Sequence, residues 1–336
     1  MIIESAAPTR VDLAGGTIDI PPLFLFHEGA ATVNFAISLM ARCRIETRDD
    51  DDRIILESVD QKATVETTVG DLAELKNDTR LALLSKLVYF FRPETGFRLT
   101  TVSEAPAGAG LAGSSTLNIA CIGALNKLVG DRYDPDRFIP IAANVECQVI
   151  KVPTGYQDYY SAAYGGVAAI HFGPEGMSRE GLATDVGALE RRMVVCYTGE
   201  PRNSGTNNWD ITKKHIDGDR EIFEIFDGIR DTAVAIRSAL LLNDWDEVGR
   251  ILLAAHPERK RLSPNITTPQ MDHLIDTALA NGAIAPKVCG AGGGGCIAFF
   301  CEDGRRPDVE AALSAQEGAT VLDWRVEPAG LVVKTA

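Results

Sequence analysis

The chain has no Cys-x-x-Cys pair and no His-Glu-x-x-His or comparable ligand spacing. Its seven cysteines (43, 121, 147, 196, 289, 296 and 301) are scattered and odd in number, and its five histidines form no ligand pattern. That argues against a disulfide framework and a zinc site, and the cysteines read as small apolar fillers of a reduced protein. Long apolar runs are also missing: the best candidate, Phe24 to Met40, is broken by His27, Glu28 and Asn34. The N-terminus, Met-Ile-Ile-Glu-Ser, lacks the basic stretch and apolar core of a secretory signal, so the cytoplasm is the expected compartment. Positive charge is scarce, with 33 Lys and Arg against 47 Asp and Glu, a net charge of −14 and a pI near 4.9. Such a surface repels nucleic acid and anionic lipid, and neither is expected as a partner. A nucleotide would have to be held by backbone N–H groups, a helix dipole, a metal and a few placed cations.

At 336 residues the chain is long for one core, and two domains are expected. Residues 36–47 alternate, with Ile37, Leu39, Ala41, Cys43 and Ile45 on one face. The acidic cluster Asp49 to Asp52 then reads as a turn into a second strand, Arg53 to Ser58, giving an antiparallel hairpin. A helix is expected over 71–91, a strand over 97–103 and a further helix over about 136–150. Gly, Pro and charge gather at 173–192, the expected boundary between domains 1–180 and 190–336. Beyond it the pattern gives a strand at 193–198, a helical region from about 206 to 256 and a helix at 269–281. A glycine loop, 287–296, lies between two short apolar strands, and a final helix and strand follow.

The most informative stretch is Pro106-Ala-Gly-Ala-Gly-Leu-Ala-Gly-Ser-Ser-Thr116, followed by apolar residues at helical spacing from Leu117 to Leu128. Gly108, Gly110 and Gly113 satisfy Gly-x-Gly-x-x-Gly, but the dinucleotide reading needs a second parallel strand ending in an acid, and Gly130 to Pro135 is turn-like. Ser114 stands where a Walker motif needs lysine. A serine-capped helix start needs no ligand, yet three glycines, Pro106 and two serines exceed what a cap requires. What remains is a phosphate cradle: glycines admit an anion close to the backbone, and the helix dipole adds positive charge there.

These residues resemble the second motif of the galactokinase, homoserine kinase, mevalonate kinase and phosphomevalonate kinase (GHMP) superfamily, Pro-x-x-x-Gly-Leu-Gly-Ser-Ser-Ala. Ala7-Pro-Thr-Arg-Val-Asp-Leu-Ala-Gly-Gly-Thr-Ile-Asp19 resembles its opening motif, and Gly290-Ala-Gly-Gly-Gly-Gly295 its C-terminal glycine motif. Residues 155–166 and 197–205 are similar to those of D-glycero-D-manno-heptose 7-phosphate kinases and related sugar 1-kinases. Asp12 departs from the family's Asn, Gly16-Thr17-Ile18 from the galactokinase Glu-His-Thr, and Ala112 is an extra residue in the loop.

The resemblance implies an α+β, two-domain GHMP kinase fold, with a mixed N-terminal α/β domain and a ferredoxin-like C-terminal domain. It implies ATP and Mg²⁺, a sugar or sugar-phosphate acceptor, and a monomer or homodimer. It gives Asp158 as the catalytic carboxylate and Arg10 as its basic partner. Pro106, Gly108, Gly110, Gly113, Ser114, Ser115 and Thr116 become the ATP-phosphate site, with Ser115 and Glu146 on the magnesium. Asp19, Gly16 and Thr17 would bind sugar hydroxyls, Arg202 and Ser204 a substrate phosphate, and Gly292 and Gly293 further contacts. Each has a plainer competitor: a turn-bonded carboxylate at Asp158, an exposed helix residue at Glu146, a turn former at Asp19, a solvated loop residue at Arg202. The alternatives at chain level are a kinase for a non-sugar alcohol, such as mevalonate or homoserine, and a silent sugar- and ATP-binding sensor.

Overall fold

The computed structural model describes every residue except Asp49 and Asn203, and all side chains but those of residues 49 and 203–207. The first half is built on two long strands, β1 (Ile2–Ala14) and β2 (Ala31–Arg48), paired antiparallel. β1 alternates at first, but every residue from Ala7 to Ala14 is buried, so its polar members there must find partners inside the protein. β3 (Arg53–Ser58), β4 (Ala63–Thr68), α1 (Ala82–Phe91) and β5 (Gly96–Ser103) follow. The glycine loop then enters α2 (Gly113–Leu128), and α3 (Phe138–Ile150) and α4 (Gln157–Tyr164) complete the layer packed on the sheet. β6 (Val167–Gly173) pairs with the start of β2 and with β7 (Gly176–Gly181). No strand follows α2 before α3, which removes the dinucleotide-fold alternative.

Two local expectations fail here. β2 and β3 are not a hairpin: β5 lies between them, antiparallel to β2 and parallel to β3. Asp51 takes Arg48 and Arg53 on its carboxylate, and the start of β5 fits beneath this bend because Gly96 has no side chain; a Cβ there would lie 2.4 Å from the Asp51 carbonyl. A four-residue connection can step across one intervening strand, about 10 Å, where a two-residue turn cannot. The expected helix over 71–91 is also broken. A 3₁₀ stretch, Val69–Asn77, stops at Asp78, whose carboxylate accepts from the N–H groups of Arg80 and Leu81 and from Ser85 Oγ before α1 starts.

The second half begins with α5 (Val186–Arg192) and β8 (Met193–Tyr197). The long helical region resolves into α6 (Ser204–Ile216), α7 (Arg220–Leu242) and α8 (Trp245–Lys260), the last two opened by Asp219 and Asp244 as side-chain caps. Then come α9 (Pro269–Ala280), β9 (Ala283–Val288), β10 (Cys296–Cys301), α10 (Arg306–Ser314) and β11 (Thr320–Val321). The antiparallel order β11-β8-β10-β9 with helices after β8 and β10 is the split βαβ, ferredoxin-like arrangement. The chain returns to the first sheet: Trp324 packs on Phe35, and β12 (Val332–Thr335) pairs with β1. Burying an aromatic such as Phe35 contributes about 3 kcal/mol. All seven cysteines are free and six are buried. No helix among the described residues is long and apolar enough to cross a membrane.

A histidine pair ties α6 to the segment after β1. His27 Nε2 lies 2.9 Å from His215 Nε2, and His27 Nδ1 lies 2.9 Å from Asp227 on α7, which also takes Arg230. Both rings are buried, and His215 stacks on Phe223 at 4.0 Å. Burial first, and then the neighbouring His27, push the His215 pKa down to about 4. Its ordinary value is about 6.5, so as pH falls from about 6.5 towards 4 the unfolded chain takes up a proton that the folded chain refuses. Stability therefore drops across that window. Thermal unfolding of wild type and His215→Leu from pH 7 to 4 should show the wild type losing stability faster; parallel pH profiles would remove His215 from the acid response.

Candidate active site

β1 carries Arg10 into the space between the glycine loop and α4. Its backbone N–H leaves the sheet ladder to donate to Leu111 O at 3.1 Å. Its side chain donates from Nε to Asp158 Oδ1 at 2.8 Å and from Nη1 to Gly110 O at 2.8 Å, with Nη2 2.6 Å from the same Asp158 oxygen. Burial alone would lower the Arg10 pKa, but Asp158 and Asp12 outweigh it and the net shift is upward. Asp158 sits in the first turn of α4, where the helix dipole favours a carboxylate, and it keeps 23% of its side chain exposed to the cleft. The turn-bonded alternative for Asp158 does not describe this geometry: among the described residues its carboxylate meets a guanidinium. The cleft has a volume of about 640 Å³ and contains both residues.

The loop between β5 and α2 also lines the cleft. The residue before α2 is Ala112, in the left-handed region at φ 67°, and it makes no side-chain cap, so the helix does not begin on a serine cap. Ser114 and Ser115 fall within the first turn, among the N–H groups that have no intrahelical acceptor. Gly108 and Gly110 take positive φ, and a Cβ at Gly110 would lie 2.6 Å from Cys289 O. The glycines thus admit the backbone of the second domain. Pro106, Gly108, Gly110, Gly113, Ser114 and Ser115 line the cleft. Thr116 does not: it is fully buried, and its hydroxyl donates to Pro8 O at 3.3 Å, so it anchors α2 to β1.

Glu146, on α3, is buried and not exposed on a helix surface. Tyr159 Oη donates to it at 2.7 Å. Burial raises its pKa, against the hydrogen bonds of Tyr159, Ser115 and Ser114, and among the described residues no ion pair meets it. A buried carboxylate beside a serine hydroxyl, with no ion pair among the described residues, is an oxygen donor set suited to a hard divalent ion.

Gly16 lies against Asp12 and Gly155 against Asp19; a Cβ at either would come within 2.2 Å of a carboxylate oxygen. Asp19 is buried, accepts from Thr17 N–H at 3.1 Å and Gln157 N–H at 3.0 Å, and so ties its own loop to α4. Burial, then the nearby charge of Asp158, push its pKa up to about 6. The turn-forming role is therefore realised, and lone pairs remain on both oxygens for hydroxyl donors.

Arg202 lines the cleft instead of lying in solvent, whereas the Ser204 side chain lies outside the described residues. Gly292 and Gly293 are not brought to the cleft. They pack on the 266 turn, with Gly293 N–H donating to Ile266 O at 3.1 Å; Gly290 and Ala291 are the cleft residues of that loop.

Sequence reasoning missed two cations. Lys287 donates to Asp12 at 2.9 Å, and Arg259 donates to Gly16 O at 3.1 Å and Gly290 O at 2.6 Å. A lone lysine in an apolar strand was a usable signal for the first. Arg259, inside the charged run 258–261, carried none. Burial lowers the Lys287 pKa against the pull of Asp12. Asp12 itself is held below the ordinary carboxylate range: burial raises it, but Lys287, Arg259 and Arg10 together prevail.

The family model described as the GHMP kinases N terminal domain matches residues 80–166, and the GHMP kinases C terminal model matches residues 236–319. The chain is 28% identical to a D-glycero-alpha-D-manno-heptose 7-phosphate kinase of Campylobacter jejuni, over 96% of this chain and 99% of that one. It is 25% identical to a galactokinase of Streptomyces coelicolor, over 94% and 87% respectively. The crystal structure of a D-glycero-D-manno-heptose 1-phosphate kinase from Bacteroides thetaiotaomicron superimposes with a TM-score of 0.81 at 26% identity, covering 99% of each chain. A glycine loop at an uncapped helix start, an arginine-held carboxylate facing it and a second glycine loop closing the cleft all occur in a chain matched by both models: the protein belongs to the GHMP kinase family.

Proposed function

We propose that this GHMP kinase transfers the γ-phosphoryl group of ATP to the anomeric hydroxyl of a sugar phosphate, with a D-glycero-D-manno-heptose phosphate as the leading acceptor. The observation that carries the reading is the Arg10–Asp158 pair, bonded to the carbonyl of the phosphate loop and open to the cleft. The heptose-phosphate kinases among the similar proteins, covering nearly the whole chain, support the acceptor class. The seven free cysteines fit a reducing compartment, the cytoplasm. A division into domains 1–180 and 190–336 fits the two sheets, with the tail from Trp324 crossing back to the first.

Phosphoryl transfer needs positioning and charge stabilisation more than covalent chemistry. The N–H groups at the start of α2 and the hydroxyls of Ser114 and Ser115 bind the ATP phosphates. Ser115 and Glu146 would hold a magnesium ion, which supplies neutralisation of the β- and γ-phosphate charge. Asp158, oriented by Arg10, accepts the proton of the attacking hydroxyl. Asp19, with the backbone of Gly16 and Thr17, grips ring hydroxyls so that one oxygen lies in line with the γ-phosphorus. The anomeric hydroxyl is the most acidic on a sugar, which suits a single carboxylate acting late in a loose transition state.

ADP release should be fastest with heptose 7-phosphate in a panel that includes the free heptose, galactose and mevalonate. The phosphorus signal of the product should couple to the anomeric proton; coupling to a primary CH₂ group would sink the sugar 1-kinase reading and leave the kinase standing. Glu146→Gln and Ser115→Ala should each raise the magnesium concentration needed for half-maximal rate, by about tenfold if a ligand contributes about 1.4 kcal/mol. Metal titrations that overlay the wild-type curve would remove both residues from the ion site.

A further inference from the structure

The cations of the cleft differ in what they hold. Arg10 and Lys287 face Asp158 and Asp12, and Arg259 spans two backbone carbonyls. Arg202 has neither arrangement: among the described residues its side chain takes part in no ion pair or hydrogen bond, and its Nη1 is buried. Asp158 influences it only at longer range, while burial and then the like charge of Arg10 push its pKa down to about 10. A guanidinium cannot shed its proton at neutral pH, so the buried Nη1 of this half-buried side chain, without an acceptor among the described residues, carries a desolvation cost. An anion would relieve it.

The position of the group says which anion. Arg202 N–H donates to Gly108 O at 3.3 Å, and its Nε lies 3.2 Å from where a Cβ of Gly110 would be. The guanidinium lies on Gly290, where a Cβ would come within 2.4 Å of its atoms. It therefore fills the gap between the two glycine loops, next to the arginine that grips Gly110 O and Asp158. The reacting hydroxyl meets Asp158, so a phosphate at the far end of the acceptor sits a sugar's length away. The phosphoryl group in transfer lies between the donor loop and Asp158.

We propose that Arg202 binds the phosphoryl group in transfer, its N–H groups taking the equatorial oxygens as the bond to the ADP oxygen breaks and the bond to the acceptor oxygen forms. The acceptor's proton passes to Asp158 and ADP leaves with the bonding electron pair. Arg202 is then a catalytic residue, not the acceptor-phosphate ligand that its loop suggested. This rests on the kinase reading, not on the identity of the sugar.

The test compares wild type, Arg202→Ala and Arg202→Lys with heptose 7-phosphate and with the unphosphorylated heptose. Arg202→Ala should lower kcat about 10²–10³-fold for both acceptors, the usual worth of a donor aimed at developing charge. Acceptor KM should stay within about threefold, and Arg202→Lys, which keeps the charge without the fork, should recover part of the rate. A second readout needs no acceptor: calorimetric titration with ADP and Mg²⁺, with and without aluminium fluoride as a mimic of the phosphoryl group. Fluoride should tighten ADP binding at least about tenfold in wild type and not in Arg202→Ala, while ADP alone binds both alike. A loss confined to the phosphorylated acceptor or to its KM would overturn the proposal, as would fluoride-dependent tightening retained in Arg202→Ala. A wild-type enzyme that turns over neither sugar would sink the acceptor assignment alone, leaving the fluoride comparison to decide the role of Arg202.

Discussion

Arg10 joins three parts of the chain that are far apart in sequence: β1, the phosphate loop at Gly110 and Leu111, and the start of α4 at Asp158. Its guanidinium is almost wholly buried, and such a charge is tolerated only because a carboxylate and a carbonyl meet it at hydrogen-bond distance. Removing one partner of a buried pair costs about 3–5 kcal/mol, most of it the penalty of the charge left behind. The cleft therefore cannot place its carboxylate independently of its donor loop. Because Arg10 grips both Gly110 O and Asp158, the position of the carboxylate is fixed relative to the glycine loop.

The two glycine loops are the seam along which the second domain meets this arrangement. Cys296 N–H donates to Ala109 O at 2.7 Å, and a Cβ on Gly295 would lie 2.7 Å from the same carbonyl. Gly108 lies against Pro201 and Arg202. Much of the glycine content of the motif thus serves backbone contact between domains, while the start of α2 lines the cleft. Arg259 adds a strut from Gly16 to Gly290, so the loop after β1 is tied to the same seam.

What could be read in the sequence followed from local rules. The alternation of residues 41–46 was visible because the sheet buries one face there. The loop-to-helix step at Gly113 was visible because glycines and small polar residues precede an apolar helix. The arginine and carboxylate were visible only through their motifs, since residues 10 and 158 have no local signal of contact. The insertion of β5 between β2 and β3 is a nonlocal pairing, invisible to alternation. The same holds for Arg259 and Lys287, which reach Gly16 and Asp12 more than 240 positions away. Thr116 and the glycines at 292 and 293 belong to the right motifs, but side-chain direction in one case and loop path in the other turn them away from the cleft.

The central claim is that Asp158, held by Arg10, takes the proton of the acceptor hydroxyl. Single-turnover transfer by Asp158→Asn, with ATP bound at saturation, tests it most directly. The amide keeps the shape but neither the charge nor the proton-accepting capacity, so the transfer rate should fall about 10²–10⁴-fold while ATP affinity stays within about threefold of wild type. A variant that transfers phosphate within about threefold of the wild-type rate would contradict the account.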